Sequence, residues 1–208
     1  LACYQRGDDL HRRTAAALAG IPESEVTKAQ RQLAKAVNFG LVYGMGAKTL
    51  AEYAKASYGV AMSLADAEKA RATYFKTYPG IKLWHSKTKA NGFSDPQVQT
   101  KGGLLRDFST ESGFQLTAAL NTPVQGTGAE CLIEALFRLP AALAGLDARL
   151  IHHVHDEIVL EVATQDTEEA KAALTEAMIG GFLALFPDVD MPGLVEAHSG
   201  PDWHSAKG

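Results

Sequence analysis

The chain has 208 residues, 46% of them apolar and 21% charged, and it is long enough to bury one core or two small ones. Its longest apolar stretch, residues 177–186, is far shorter than the roughly 20 residues that cross a bilayer, and no targeting pattern opens the sequence. We therefore expect no membrane partner and a cytoplasmic location. Cys3 and Cys131 lie far apart and outside any Cys/His cluster, so nothing indicates a disulfide framework or a structural zinc site.

The formal net charge of −4 conceals an uneven distribution along the chain. Residues 1–104 carry 15 Lys and Arg against 8 Asp and Glu, a net charge of +7, whereas residues 105–208 carry 5 against 16, a net charge of −11. This asymmetry is typical of a protein in which one part holds phosphates and another places carboxylates around divalent cations. A chance excess of charge on two solvated faces would also explain it.

Residues 1–113 are predicted to be mainly helical. The expected helices cover residues 8–18, 27–43, 48–58, 64–78 and 81–90. Thr27 and Gln30 fit a capping box at the start of the second helix, and Gly44 and Gly46 suit its end. Residues 91–113 turn to Gly, Ser, Asp and Pro, which predicts a connection or a small irregular ribbon, and we place a domain boundary there.

Residues 114–208 are predicted to combine helices with a small antiparallel sheet. The expected elements are helices over about 121–143 and 166–186 and strands over 149–155, 157–163 and 194–198. The first of these helices is expected to begin at Asn121 or slightly before and to be interrupted near Pro140. Almost nothing separates the first two strands, which predicts a tight hairpin with its turn at Asp156. The predicted fold class is α+β.

One segment presents two cations and two aromatic rings at a spacing of four residues. Arg31, Lys35, Phe39 and Tyr43 advance by about 40° per step on an α-helix and so share one slowly turning face. The cations stand near the start of the helix, where its dipole favours phosphate, and the rings suit the sugar and base of the same molecule. The pattern fits a nucleoside triphosphate lying along the helix. Rings packed in a core beside solvated cations are the alternative, which these residues alone leave open.

The predicted hairpin turn, with His155, Asp156 and Glu157, is a second candidate site. A carboxylate held at a turn between apolar strands is rigidly placed, as metal-assisted phosphoryl transfer requires. A polar turn that only caps the hairpin is the alternative. A different interpretation makes His153, His155 and Asp156 the ligands of a metal-dependent hydrolase, because alternate residues of a strand lie on one face.

Together these segments resemble the family A DNA polymerases, the family of DNA polymerase I. The pattern R-x3-K-x3-F-G-x2-Y-G over residues 31–44 is similar to the finger-helix motif of that family, and residues 154–157 resemble its V-H-D-E motif. Two weaker matches occur in the same order. Residues 9–12 resemble its D-x-H-R segment and residues 121–127 its N-x-P-x-Q-G-T segment, and the similarity continues through residues 194–203.

The resemblance implies a DNA-templated DNA polymerase that transfers a nucleotide from a deoxynucleoside triphosphate (dNTP) to a primer 3′-hydroxyl, using two magnesium ions. The implied nucleotide-binding residues are His11, Arg31, Lys35, Phe39 and Tyr43. The implied DNA-binding residues are Asn121, Gln125 and His155. Asp156 is implied as catalytic metal ligand, with Glu157 as the adjacent catalytic and metal-binding carboxylate. Residues 1–113 would then be a fingers-like region and residues 114–208 a part of the palm, with primer-template DNA and dNTP as partners.

The chain also departs from the family pattern. His153 stands where the family usually has Gln, and Thr117 where it often has a basic residue. The family's second metal-binding aspartate belongs to an upstream strand of the D-Y-S-x-I-E type, and no such sequence is present. We therefore expect the isolated chain to have little or no polymerase activity and to expose a sheet edge or apolar face that permits self-association. A non-catalytic nucleic-acid-binding module remains an alternative.

Overall fold

The structure is a computed structural model that describes residues 6–111, 113–190 and 193–207. Within these ranges the helices are α1 (Leu10–Ala19), α2 (Lys28–Val42), α3 (Ala47–Tyr58), α4 (Leu64–Thr77), α5 (Pro79–Asn91), α6 (Leu116–Ala142), α7 (Thr167–Leu185) and α8 (Trp203–Ala206). The strands are β1 (Gln97–Gln99), β2 (Leu105–Asp107), β3 (Ala148–Val154) and β4 (Glu157–Val162). The predicted α+β class is confirmed.

The chain divides into two compact units. The first contains the residues up to Gln99 together with Leu105–Pro123, and the second contains Thr100–Leu104 with the residues from Val124 onward. The expected division into a fingers-like part over residues 1–113 and a palm part over residues 114–208 stays a prediction, because it concerns function as well as compactness.

The core of the first unit is built on one face of α2. Val37 and Leu41 of this helix are fully buried, and they form a cluster with Leu50 of α3 and Tyr74 of α4. A spacing of three and four residues keeps such positions on one side of a helix, so the residues between them face outward. Burial of the Val37 face therefore leaves the opposite side of α2 for solvent or ligand.

The core of the second unit lies among α6, α7 and the hairpin. Leu139 of α6, Ile158 of β4 and Ala177 of α7 belong to one buried cluster. Gly181 of α7 lies so close to α6 that a Cβ atom there would stand 2.4 Å from the carbonyl oxygen of Cys131. Only glycine permits this close approach, so Gly181 allows α7 to pack directly against α6.

The two strands of the second unit form the predicted antiparallel hairpin. Val154 pairs with Glu157, so the turn consists of His155 and Asp156 alone, and the predicted turn position is confirmed. His155 adopts a left-handed backbone conformation with φ of 56°, as tight hairpin turns often require. A shift in register between Leu150 and His152 indicates a bulge in β3, which increases the local twist.

Three expectations about local structure were wrong. Helix α6 begins at Leu116 rather than near Asn121, because Ala119 and Leu120 are buried and extend the helix upstream. The helix is not interrupted near Pro140, which lies two residues before its end at Ala142. The hydrogen bond that proline cannot donate, to the carbonyl four residues earlier, is therefore lost only in the final turn. Residues 194–198 form no strand: β3 and β4 pair with each other, and no further strand pairs with them in the described part of the second unit.

Among the described residues, no helix combines the length and apolar character needed to cross a membrane. Cys131 is a free thiol, and Cys3 lies outside the described residues.

Candidate functional site

Helix α2 is fixed at both ends. At its start, Thr27 and Gln30 form the predicted capping box, in which Gln30 N–H donates to Thr27 Oγ1 (3.2 Å) and Thr27 N–H donates to Gln30 Oε1 (2.8 Å). At its end, His85 Nε2 donates to the carbonyl oxygen of Val42 (2.8 Å). Gly44, which follows the C-cap residue Tyr43, has a positive φ of 81°, a conformation that favours glycine. The face of α2 that carries Arg31, Lys35, Phe39 and Tyr43 is therefore presented on a rigid support.

Side-chain exposure along this face favours ligand binding over core packing for Phe39. Phe39 is 50% exposed, whereas Val37 and Leu41 on the opposite face are fully buried. Arg31, Lys35 and Tyr43 are each partly buried. The interpretation of Phe39 as a core residue is therefore wrong, because the core of this unit is formed from the other side of the helix.

Helix α1 brings His11 to the same face of α2. The ring centroids of His11 and Phe39 lie 5.5 Å apart at an angle of 46°. Asp9, the N-cap of α1, accepts from the backbone N–H groups of His11 (2.9 Å) and Arg12 (3.1 Å). The other oxygen of Asp9 accepts from Nε of Arg31 at 2.5 Å. One carboxylate thus caps α1 and holds Arg31 beside His11.

Three of the predicted nucleotide-binding residues, His11, Arg31 and Phe39, are therefore brought together. The motif resemblance did not indicate that Asp9 binds Arg31, because the two residues are 22 positions apart. Lys35 differs from Arg31, since it has no hydrogen bond or ion pair within the described part of the chain. Its ammonium group is available to a ligand phosphate without breaking an internal contact.

The electrostatics of this cluster favour an ionised Asp9 and a neutral His11. Burial would raise the pKa of Asp9, but hydrogen bonds from Arg31, Arg12 and His11 outweigh it and lower that pKa below its ordinary value. Burial lowers the pKa of His11, and although Asp9 opposes this, the charges of Arg31 and Lys35 lower it further. A neutral imidazole has one N–H donor, whose position is set by its hydrogen-bond partners.

In the second unit, Asp156 and His155 are exposed at the tip of the hairpin. Glu157 has partners instead: its carboxylate accepts from Nε1 of Trp203 and from Nζ of Lys207 (3.2 Å), both at or next to α8. The hydrogen bond from Trp203 is the main cause of a lowered pKa of Glu157, with Lys207 contributing further. Glu157 therefore holds the C-terminal helix, a role that the sequence did not reveal.

The carboxylates at the turn do not make a complete cation site by themselves. No group of three or more His, Cys, Asp or Glu side chains that could hold a metal occurs in the described ranges. The carboxylate of Glu157 is already paired with Trp203 and Lys207. Asp156 can therefore supply one oxygen ligand of the kind that Mg²⁺ prefers, but a bound Mg²⁺ would need further ligands. The hydrolase interpretation of His153, His155 and Asp156 is not supported either, because these side chains do not form such a group.

The predicted DNA-binding residues Asn121 and Gln125 lie on α6. Asn121 is partly buried and Gln125 is exposed. Asn121 is the sixth residue of α6, which begins at Leu116. The interpretation of Asn121 as a helix-start residue is therefore wrong. Its amide is therefore not used as a helix cap.

A carboxylate outside the predicted site anchors the turn between β1 and β2. Glu130 of α6 accepts from Oγ1 of Thr100 (2.5 Å) and from the backbone N–H groups of Gly102 (2.9 Å) and Leu104 (3.3 Å). The hydrogen bond from Thr100 is the main cause that lowers the pKa of Glu130. A fourth contact to α6 runs from the N–H of Lys101 to Oγ1 of Thr127 (2.9 Å). No local sequence pattern indicates this anchor, since it joins residues about 30 positions apart.

Comparison with known proteins identifies the family. The model of "DNA polymerase family A" matches residues 1–205. The chain belongs to this family. It is 43% identical to a DNA polymerase I of Aquifex aeolicus over 180 residues, which are 86% of the chain and 31% of the relative. It is 36% identical to a DNA polymerase I of Deinococcus radiodurans over 211 residues, which cover 98% of the chain and 21% of the relative.

A solved structure is also similar. The POL domain of Pol1 from M. smegmatis, in complex with DNA primer-template and dNTP, superposes with a TM-score of 0.83 at 28% identity, covering 100% of the chain and 36% of that domain. The resemblance to family A polymerases is confirmed. The chain spans roughly a fifth to a third of the length of the curated relatives named above.

Proposed function

We propose that the chain forms the nucleotide-binding and part of the catalytic region of a DNA-templated DNA polymerase that acts on DNA in the cytoplasm. The observation that carries the proposal is the cluster of His11, Arg31 and Phe39 on the outer face of α1 and α2, with Lys35 on the same helix. Two cations and a donor imidazole beside a half-exposed ring match the phosphates and sugar of one dNTP. Family membership supports the same assignment.

In the proposed reaction, the 3′-hydroxyl of a primer attacks the α-phosphate of the dNTP and pyrophosphate leaves. Lys35 and Arg31 bind the triphosphate and offset the negative charge of the departing pyrophosphate. Arg31 can do so while Asp9 holds its Nε, because the two terminal nitrogens of its guanidinium group remain as donors. Phe39 packs on the sugar, and Tyr43 lies beside the new base pair.

Asp156 is proposed as a ligand of the divalent metal that such polymerases use, here Mg²⁺. Bound Mg²⁺ would activate the attacking hydroxyl and stabilise the charge on the transferred phosphate. The exposed position of Asp156 in a two-residue turn leaves both carboxylate oxygens accessible. Glu157 contributes indirectly through α8 in this proposal, because its carboxylate is paired with Trp203 and Lys207.

Primer-template DNA is the proposed polymeric partner. Asn121, Gln125 and His155 supply amide and imidazole groups that can reach sugar oxygens or base edges. The positive charge of residues 1–104 would attract the phosphate backbone, so binding should weaken steeply as salt concentration rises.

Primer extension tests the proposed function. A longer polymerase that contains this chain should extend a labelled primer with Mg²⁺ and dNTP, whereas its double variant Lys35→Ala/Asp156→Asn should not. The variant Lys48→Ala, which removes an exposed cation from α3, is the matched control and should extend normally. Normal extension by the double variant would reject the assignment of both residues.

Self-association of the chain is a further part of the proposal. Ile133 and Phe137 are 64% and 85% exposed and stand one turn apart on α6, which makes an apolar patch in the second unit. Phe137→Ser should therefore shift the chain towards the monomer in sedimentation velocity experiments. The same sedimentation profile for both proteins would show that this patch does not mediate association.

A further inference from the structure

A continuous series of polar side chains runs from the interior of the first unit to His11. Thr14, which is almost fully buried, has its hydroxyl 2.9 Å from the hydroxyl of Tyr78 and 2.8 Å from Oδ1 of Asn38. The amide nitrogen of Asn38 lies 2.9 Å from Nδ1 of His11. The series therefore ends at the imidazole that faces Phe39.

The direction of these hydrogen bonds follows from which groups can donate. Besides Tyr78, the Thr14 hydroxyl has two neighbours, Oδ1 of Asn38 and the carbonyl oxygen of Leu10 (2.9 Å), and both can only accept. The single hydroxyl hydrogen of Thr14 is directed to these acceptors, so Tyr78 must donate to Thr14. With Oδ1 facing Thr14, the amide of Asn38 presents its N–H to His11 and obliges Nδ1 to accept.

An imidazole whose Nδ1 accepts a hydrogen bond carries its proton on Nε2 when it is neutral. Nε2 of His11 has no hydrogen-bond partner within the described part of the chain. The charged groups that face the ring are Asp9 at the start of α1 and Arg31 and Lys35 on α2. An N–H donor in this position points to an anionic ligand held by the same two cations.

We propose that Asn38 is a positioning residue that holds His11 in the Nε2–H form, so that the imidazole is ready to donate to a phosphate oxygen of the triphosphate. This inference rests on the proposed function for its ligand, but the state of the ring is a property of the chain alone. Asn38 acts through His11 and does not contact the nucleotide.

The tautomer is measured directly by ¹⁵N chemical shifts and long-range ¹H–¹⁵N couplings of His11 at a pH where the ring is neutral. The wild-type chain should show protonated Nε2. Asn38→Asp should move the proton to Nδ1, because a carboxylate can only accept, and Asn38→Leu should leave a mixture of the two forms. Protonated Nδ1 in the wild type, or the same tautomer in Asn38→Asp, would overturn the proposal.

Binding of deoxyadenosine triphosphate, measured by isothermal titration calorimetry, tests the consequence of this tautomer. Asn38→Asp should weaken binding by roughly tenfold to a hundredfold, the range for one lost hydrogen bond to a charged group. Gln30→Glu is the matched control, since it adds the same charge to α2 while keeping the capping box, and it should bind normally.

A double variant separates action through His11 from a direct effect of charge. In the His11→Ala background, Asn38→Asp should not weaken binding further, because the ring on which it acts is gone. A full additional loss in that background would overturn the positioning role. If the wild-type chain bound no triphosphate, the proposed function would fail, whereas the NMR result would still decide whether Asn38 sets the state of His11.

Discussion

Arg31 and Lys35 should contribute alike to triphosphate binding but differently to stability. Each is proposed to make a charge-assisted contact with phosphate, which is worth about 1.5–3 kcal/mol, so Arg31→Ala and Lys35→Ala should each weaken binding by roughly tenfold to a hundredfold. Of the two, only Arg31 has an ion-pair partner among the residues that the structure describes, the carboxylate of Asp9 at 2.5 Å. The two substitutions therefore differ in what they break inside the protein.

The cost of the internal contact follows from its exposure. The side chains of Arg31 and Asp9 are 35% and 32% exposed, so solvent screens the pair and its loss should cost no more than about 1 kcal/mol. For a chain of this size that is a fall in melting temperature of about 2–4 °C. Lys35→Ala should not lower the melting temperature, because it removes no ion pair and alanine favours the helix.

The assay combines calorimetric titration of dNTP with differential scanning calorimetry on the same protein samples. Lys48→Ala serves as the control for loss of one positive charge and should match the wild type in both measurements. Unchanged nucleotide affinity in both variants would refute the proposed binding face of α2. Equal melting temperatures for Arg31→Ala and Lys35→Ala would refute the stabilising role of the pair with Asp9.

Two further predictions concern the hairpin. Asp156→Asn in the longer polymerase should reduce primer extension by orders of magnitude with little change in melting temperature, since the exposed amide keeps the shape of the side chain and loses the charge; near-normal extension would remove Asp156 from the site. Glu157→Ala should release α8 and increase acrylamide quenching of Trp203 fluorescence, while Glu157→Gln keeps an acceptor for the indole and should change it less. Equal quenching in both variants would contradict the anchoring role of Glu157.

Local patterns were sufficient to predict most of the secondary structure. The capping box of Thr27 and Gln30 and the glycine that follows α2 act within a few residues, so the sequence places that helix almost to its ends. The hairpin turn at Asp156 was equally predictable, because two strand-like segments separated by almost no residues can pair only as a tight antiparallel hairpin. The start of α6 was not predictable from local patterns, since it depends on burial of Leu120 in the tertiary core.

The candidate site was predicted as a set of side chains but not as a network. The spacing of Arg31 and Phe39 indicates a shared helix face, which depends only on helix geometry. The contacts of Asp9 with Arg31 and of Asn38 with His11 join residues more than 20 positions apart, and Glu157 meets Trp203 across 46 positions. Such contacts depend on how elements pack, and no periodicity in the sequence encodes them.

The pair of Asp9 with Arg31 also makes a contribution to stability that depends on pH. Hydrogen bonds from Arg31 and from the start of α1 outweigh the effect of burial and hold the pKa of Asp9 below its ordinary value of 3.8. Between these two pKa values the unfolded chain binds more protons than the folded one, so stability rises with pH in that interval. The contribution is complete above about pH 4 to 5 and disappears as the pH falls through the lowered pKa.

The variant Asp9→Asn isolates this contribution, because asparagine is about as good an N-cap as aspartate but cannot pair with Arg31 as an anion. Urea unfolding at neutral pH should show the wild type more stable by up to about 1 kcal/mol, and the difference should shrink towards zero as the pH is lowered below 3.8. The same substitution removes the charge that raises the pKa of His11, so His11 should titrate at lower pH in the variant. A stability difference that stayed constant down to the lowest pH would show that it does not come from the charge of Asp9, and would reject a stabilising ion pair with Arg31.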